Sequence, residues 1–283
     1  MEDVCVMSSV REKANHRISA LRSLLCVGLD SDPVKIPQVF SSYKNPVLEF
    51  NRSIIRATSD LAVAYKLNTA FYEARGVPGL LDMEQTLRLI PDGCMTIADA
   101  KRADIGNTSK MYAQAFFEHW SFDAMTVAPY MGFDSLEPFF AYEDKLVFVL
   151  CLTSNEGSAD FEEQAMADAT PLYRSVLGRV ASWSRNGNGG VVVGATKGSV
   201  LGEIRGDAPG LFLLIPGVGA QGGSLEEAVN LGVDAFRQSA VINVSRALIY
   251  PQGAAGAFVS VDDYERAVAA EALKICNEMR RVL

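Results

Sequence analysis

Eight short apolar runs recur along the chain, separated by segments in which apolar residues have helical spacing. Most of these runs are rich in Val and Ile, too short for helices and followed by polar, Gly or Pro residues, which is typical of strands. Because they are continuously apolar, we expect strands buried on both faces. The predicted strands are Leu24–Leu29, Leu61–Leu67, Met95–Ala98, Ala124–Ala128, Leu146–Leu152, Val191–Ala195, Leu211–Ile215 and Ala240–Val244.

The intervening segments predict helices at Val47–Ser59, Met83–Ile90, Ser109–Trp120, Leu172–Arg185, Leu225–Leu231 and Tyr264–Val282. We expect Asp262 to cap the last of them and Pro171 to lie in the first turn of another. Asn107-Thr108 can cap the helix that follows the third strand. The segment Asn155–Ala169 is predicted to be an irregular loop over a site.

Eight strand-then-helix units in this length favour a (β/α)8 TIM barrel, an α/β fold, with a doubly wound open sheet as the alternative. No Pro/Gly/Ser linker or change of composition divides the chain. We therefore predict a single barrel domain over residues 1–283, in which residues 1–20 form an N-terminal extension or helix.

Composition and charge argue against several classes of protein. A net charge of −8 without a Lys/Arg cluster argues against a nucleic-acid surface. The five cysteines are odd in number and contain no CxxC pair, which is typical of buried reduced thiols in a cytosolic protein. Neither histidine lies near a carboxylate cluster, so we do not expect a zinc site. With no secretion signal and no apolar run near ~18 residues, we expect a soluble, cytoplasmic protein with no membrane contact.

The third predicted strand runs into Asp99-Ala100-Lys101-Arg102-Ala103-Asp104. Side chains alternate along a strand, so Asp99 and Lys101 are expected on one face, and Asp104 adds a second carboxylate. Such charges are costly at the end of a buried strand unless they neutralise each other. We interpret the cluster as functional; the alternative is a buried ion pair leading into a helix cap.

Polar residues follow other predicted strands too, and in a barrel these ends meet at one mouth. Each has an ordinary alternative: Lys66 can extend to the rim, Asp30 can cap the turn before Pro33, and Ser154 can be a simple turn hydroxyl. The turn Pro216–Gly223 contains four glycines and precedes a helix beginning near Ser224, and Ser245-Arg246 follows the eighth strand. Together these two features predict a phosphate site, against the alternative of a flexible loop and a surface Arg.

Three motifs together resemble orotidine 5′-phosphate decarboxylases: Asp99-x-Lys101-x-x-Asp104-Ile105-x-x-Thr108, Tyr65–Glu73 and Pro216–Gly223. The likeness runs from about Leu24 to Tyr250. It implies decarboxylation of orotidine 5′-monophosphate to UMP and CO2, the last step of de novo UMP biosynthesis, with no cofactor and no metal. It further implies a homodimer with its active site at the subunit interface and, in some relatives, fusion or association with orotate phosphoribosyltransferase.

The resemblance also implies a role for each matching residue. Lys66, Asp99, Lys101 and Asp104 form a charged tetrad, in which Lys101 protonates C6 of the pyrimidine once CO2 has left, and the partner subunit donates Asp104 together with Ile105 and Thr108. Asp30, Lys66 and Asn68 face the ribose, which Thr108 also touches, and Ser154, or else Thr153, faces the pyrimidine. Gln221, Ser245 and Arg246 hold the phosphate, and Pro216 lines the pocket. One departure is Gly223, where some members have Tyr.

Two rival functions are compatible with parts of this pattern. A metal-dependent aldolase or decarboxylase acting on a sugar phosphate shares the Asp-x-Lys-x-x-Asp core, although Lys66 would place positive charge where such an enzyme binds its cation. A catalytically silent nucleotide-binding barrel is the other, although it has no reason to retain clustered carboxylates.

Overall fold

The computed structural model describes residues 9–219, 222–251 and 258–283, in which eight parallel strands form a closed barrel in chain order. The strands are β1 Leu25–Gly28, β2 Ala64–Asn68, β3 Met95–Arg102, β4 Ala124–Val127, β5 Leu146–Leu152, β6 Gly189–Val193, β7 Phe212–Pro216 and β8 Ala240–Val244. The predicted (β/α)8 barrel is confirmed. The doubly wound sheet is excluded because β1 pairs with β8.

The strand bounds agree with the predicted runs to within two residues, except that β2 begins at Ala64 rather than Leu61 and that the third strand is longer than predicted. The prediction ended at Ala98, whereas β3 continues to Arg102. Hydrophobicity could not reveal this extension because Asp99, Lys101 and Arg102 are charged, and yet they remain in the sheet. β4, β6 and β8 are buried along their whole length, as expected for strands covered on both faces.

Helices of at least one turn connect the strands. They are α1 Val10–Leu21, α2 Pro46–Thr58, α3 Ala70–Glu73, α4 Gly76–Leu87, α5 Gly106–Ala113, α6 Phe133–Phe140, α7 Ser158–Phe161, α8 Leu172–Trp183, α9 Gly198–Asp207, α10 Leu225–Gly232, α11 Arg246–Ile249 and α12 Val261–Val282. Short 3₁₀ turns lie at Gln38–Phe40 and Ala195–Lys197, and a π-helix at Gln114–His119 continues α5. No helix of the described ranges is both long and apolar enough to cross a bilayer.

Several predicted helix starts were wrong. Ser260 rather than Asp262 caps α12, because its side chain accepts the Asp263 N–H one turn into the helix. Asn107 and Thr108 lie inside α5, which begins after Ile105 without a side-chain cap. Pro171 is the N-cap residue of α8 rather than part of its first turn. The predicted loop 155–169 contains α7 and a short bridge between Ala165 and Pro171.

Helix α1, in the region predicted as an N-terminal extension or helix, lies across the amino-terminal ends of the strands. Arg11 donates to the carbonyls of Gly187 and Gly210, which precede β6 and β7, and Arg17 donates to Ala62 O before β2. These contacts satisfy carbonyls at the bottom of the barrel. The opposite mouth is therefore the open end.

Cys26, Cys94, Cys151 and Cys276 are buried free thiols, as predicted, and Cys5 lies outside the described residues.

Candidate active site at the carboxyl ends of the strands

A cavity of about 200 Å³ opens at the carboxyl ends of β1, β2, β3, β7 and β8. It brings together seven of the predicted site residues: Asp30, Lys66, Asn68, Asp99, Pro216, Ser245 and Arg246. Gly217, Val218, Asn243 and Ala247 complete the lining. The polar ends of strands far apart in the sequence therefore converge, as the barrel architecture requires.

A row of alternating charges lies at this cavity: Asp30, Lys66 and Asp99 line it, whereas Lys101 is bonded to Asp99 but is not a lining residue. Lys66 Nζ donates to Asp99 Oδ2 at 2.8 Å and lies 3.7 Å from Asp30 Oδ1. Lys101 Nζ donates to Asp99 Oδ1 at 2.5 Å. Lys66 is only 4% exposed, so its ammonium reaches a partner rather than the rim. Two ammonium groups thus share one carboxylate.

The electrostatics of the row favour its charged form. Burial alone would lower the pKa of Lys66, but the carboxylates of Asp30 and Asp99 outweigh it and hold that pKa above its usual value. Burial likewise opposes ionisation of Asp99, yet Lys66 and Lys101 hold the pKa of this carboxyl well below its ordinary range. Asp99 is therefore an anion throughout the neutral range.

Lys101 has an unusual backbone for a strand residue. Its φ is +50°, in the left-handed region that favours glycine, and the β3–β4 register shifts between Ala98 and Arg102. The regular alternation predicted for Asp99 and Lys101 therefore does not hold, although their side chains do meet. Thr126 on β4 spans the irregularity: its Oγ1 accepts the Lys101 N–H at 3.0 Å and donates to Asp99 Oδ1 at 3.1 Å.

Asp30 connects the charged row to the predicted phosphate end. Ser245 Oγ donates to Asp30 Oδ2 at 2.7 Å, so Asp30 is not simply a turn cap. A Cβ atom at Gly28 would lie 2.7 Å from Ser245 Cβ, so the close approach of β1 and β8 requires glycine at this position. The exposed guanidinium of Arg246 has no hydrogen-bond or ion-pair partner among the described residues.

The glycine turn after β7 differs in detail from the prediction. Gly217 and Gly219 have positive φ values of 97° and 73°, which explains the need for glycine. The N–H groups of Gly219, Gly222 and Gly223 donate to carbonyls within the turn. These three N–H groups are therefore occupied within the turn, although a phosphate site here would have used them to bind the ligand. Gln221 lies outside the described residues.

The rest of the Asp99–Thr108 motif does not reach the cavity of its own chain. Asp104 Oδ1 accepts the Ile105 N–H at 2.7 Å, and the Asp104 carbonyl accepts from Ser109 Oγ. Ile105 is 62% exposed, and Thr108 is also exposed. Within the described part of the chain, Asp104 forms no ion pair.

Ser154 and Thr153 follow β5 but do not line the cavity. The Thr153 hydroxyl bonds to Glu162 and Asn155, inside the loop that covers this strand. Ser154 packs closely on Gly194, where a Cβ atom would lie 2.7 Å from the Ser154 backbone. The loop hydrogen bonds thus occupy the Thr153 hydroxyl.

Sequence reasoning missed Asn243 and Thr126, which are both buried polar residues. Asn243 lines the cavity, and its Oδ1 accepts from the thiol of Cys26, whose pKa burial raises to about 12. Each residue is a polar interruption of an otherwise apolar run, Ala240–Val244 or Ala124–Val127. That polar interruption was the sequence signal that could have identified them.

Among residues 9–219, 222–251 and 258–283, no group of His, Cys, Asp and Glu side chains is arranged to hold a metal ion.

Comparison with known proteins gives consistent matches. Residues 23–257 match the model of the orotidine 5′-phosphate decarboxylase / HUMPS family. The chain is 45% identical over 276 residues to an orotidine 5′-phosphate decarboxylase of Flavobacterium johnsoniae, covering 96% of this chain and 97% of that protein. It resembles the structure of Leishmania donovani OMP decarboxylase with a TM-score of 0.82 and 38% identity over 97% of this chain and 98% of the other. It resembles Leishmania donovani UMP synthase with a TM-score of 0.84 and 38% identity, covering 98% of this chain and 57% of that one.

Proposed function

The chain belongs to the orotidine 5′-phosphate decarboxylase / HUMPS family, and we propose that it converts orotidine 5′-monophosphate to UMP and CO2 in pyrimidine biosynthesis without a cofactor. The observation that carries the proposal is the Lys66–Asp99–Lys101 row: Lys66 and Asp99 line the same cavity as Ser245 and Arg246, and the half-exposed Lys101 is bonded to Asp99. A cation next to a reacting carbon and an anion-binding group at a distance match the two ends of this substrate.

The proposed chemistry is electrostatic. The bond from C6 to the carboxylate breaks, its electron pair stays on C6 as a poorly delocalised carbanion, and CO2 leaves. The Lys101 ammonium stabilises this charge as it develops and then gives its proton to C6, after which solvent restores the proton. Asp99, fixed as an anion by its two lysine partners, holds Lys101 in place and disfavours the substrate carboxylate beside it.

The remaining predicted residues that line the cavity, together with Gln221 from outside the described ranges, are proposed to bind the nucleotide. Ser245, Arg246 and Gln221 hold the phosphate, and Pro216 lines the pocket. Asp30, Lys66 and Asn68 face the ribose. Because the phosphate lies far from C6, the energy of holding it can be used to order the loops and exclude water.

Asp104, Ile105 and Thr108 are proposed to complete the active site of a second copy of the chain. The exposed Ile105 and the 87% exposed Tyr130 support this proposal, because they supply apolar surface that a second copy would bury. In such a homodimer each site draws Asp99 and Lys101 from one protomer and Asp104 from the other. Ser154 is proposed to meet the pyrimidine edge.

We also propose a cytoplasmic location and fusion or association with orotate phosphoribosyltransferase. The buried free thiols support the location. The similarity to just over half of a longer UMP synthase supports the association.

The test is CO2 release from orotidine 5′-monophosphate by purified, chelator-treated protein, with UMP measured in parallel. We expect equal amounts of both products and no change on adding Mg²⁺. Nucleotide binding without CO2 would favour the silent barrel. Activity restored only by Mg²⁺, or found on a sugar phosphate, would favour the metal-dependent relative.

A further inference from the structure

The Thr126 hydroxyl lies between the two residues that β3 contributes to the charged row. It accepts the Lys101 N–H at 3.0 Å and donates to Asp99 Oδ1 at 3.1 Å. A backbone N–H can only donate and an ionised carboxylate can only accept, so the group between them must do both. A hydroxyl meets that requirement with its one proton.

The irregularity of β3 explains why this bridge is needed. The β3–β4 ladder pairs Ala98 with Met125 and resumes only at Arg102 with Val127, so residues 99–101 face Thr126 alone. Lys101 therefore lacks a ladder acceptor for its N–H, and its left-handed backbone is strained for a residue other than glycine. Thr126 is 1% exposed, so solvent does not supply the missing bond.

We propose that Thr126 is a positioning residue for the decarboxylation: its hydroxyl fixes the backbone of Lys101 and the carboxylate of Asp99 at the same time. The inference rests on the proposed function and adds a residue that does not line the substrate cavity. It accounts for a polar side chain in the otherwise apolar strand β4.

Removing the hydroxyl leaves the Lys101 N–H without its acceptor and Asp99 with one donor fewer. The strained backbone then relaxes and the Lys101 ammonium moves. A displacement of about 1 Å at a reacting group lowers the rate on the order of 10²-fold. The phosphate and ribose residues lie on other strands, so the change falls on kcat rather than on KM.

The experiment compares Thr126→Val, which keeps the shape and loses the hydroxyl, with Thr126→Ser, which keeps the hydroxyl. The matched control is Thr58→Val, because Thr58 is equally buried and its hydroxyl bonds Ile54 O and Tyr65 Oη outside the cavity. We expect kcat to fall about 100-fold in Thr126→Val, with KM within about threefold of the unaltered protein. Thr126→Ser and Thr58→Val should keep kcat within about threefold.

If the valine variant does not fold, Thr126→Ala replaces it, because alanine and serine at this position differ by the hydroxyl alone. A second readout does not depend on turnover: reductive methylation of the Lys101 amine, followed by peptide mass spectrometry. We expect this labelling to be several-fold faster in Thr126→Val than in the unaltered protein or in Thr126→Ser.

A hydroxyl-free variant with kcat within twofold of the unaltered protein would overturn the proposal. So would a serine variant as slow as the valine or alanine variant, or Lys101 labelling that does not change. If the unaltered protein releases no CO2, it is the proposed function that fails. The labelling contrast then decides the role of Thr126 by itself.

Discussion

Two parts of one short segment behave in opposite ways. Asp99 and Lys101 are paired inside their own protomer, where Asp99 binds Lys66, Lys101 and Thr126 together. Asp104, a few residues later, binds only the neighbouring Ile105 N–H with its carboxylate, within the part of the chain that the structure describes. One protomer therefore completes the first half of the motif and leaves the second half at its surface. Closeness in sequence did not place both halves in one site.

The sharpest test of the Asp99 and Lys101 half of the motif, which is complete within one protomer, is Lys101→Ala. We expect CO2 release to fall by about 10³-fold or more, because the cation that meets the developing charge is lost, while UMP binding stays measurable by calorimetry. Lys44→Ala is the matched control, since Lys44 is exposed and has no partner among the described residues. Near-normal turnover by Lys101→Ala would contradict the assigned role.

The half of the motif that lies at the surface, Asp104, is tested by mixing two inactive variants and measuring the activity of the mixed dimers. Asp104→Ala alone should lose about 10²- to 10³-fold in turnover, because the partner's site loses a carboxylate beside Lys101. Mixing it with inactive Lys101→Ala should restore about a quarter of normal activity. Half of randomly assorted dimers are mixed, and each mixed dimer has one intact site of two.

Recovery of activity should require exchange of subunits between the dimers. Asp104→Ala and Lys101→Ala mixed under conditions without exchange therefore provide the control. Two Asp104 variants mixed together should stay inactive. If the Lys101 and Asp104 variants do not complement each other after exchange, both halves act within one protomer.

Arg246 should act within its own protomer, as Asp99 and Lys101 do, because it lines the cavity of its own chain. Arg246→Ala is expected to lower kcat/KM by about 10- to 100-fold, the usual effect of losing a hydrogen bond to a charged group. The loss should appear mainly in KM. Orotidine, which lacks the phosphate, should be turned over equally slowly by both proteins; a further loss on orotidine would show that Arg246 acts elsewhere.

The contrast between Asp99 and Asp104 also predicts that substituting them changes the free energy of unfolding by different amounts. Asp99→Asn should lower the free energy of unfolding by about 3–5 kcal/mol at pH 7, because it leaves Lys66 buried without its closest partner. The native pKa of Asp99 is depressed, so its contribution is full above the unfolded value near 4 and declines as pH falls toward the native value. The gap between the two proteins should therefore narrow below about pH 4.

Urea unfolding at fixed protein concentration measures this gap, with Asp104→Asn as the control. We expect the control to change the free energy of unfolding by less than about 1 kcal/mol, because Asp104 has no ion pair within the described chain. Equal losses in the two variants would show that Asp104 is as firmly anchored as Asp99.

The apolar runs were sufficient to predict the barrel, because strands buried on both faces must be continuously apolar and the chain connects them in order. Convergence at the mouth then followed for Asp30, Lys66 and Ser245, since the carboxyl ends of parallel strands meet. The helix caps at Asp262 and Asn107-Thr108 were predicted wrongly. Several nearby residues there can cap a helix, and packing selects among them.

The sequence by itself determined the fold and most of the charged and polar strand-end residues of the cavity, because periodicity and strand-end residues are local properties of the chain. Only the tertiary structure decided the bulge of β3, the left-handed Lys101 and the partnership of Thr126 with Asp99. These depend on how two strands align against each other. A one-dimensional pattern does not contain that register, because it results from packing across the whole barrel.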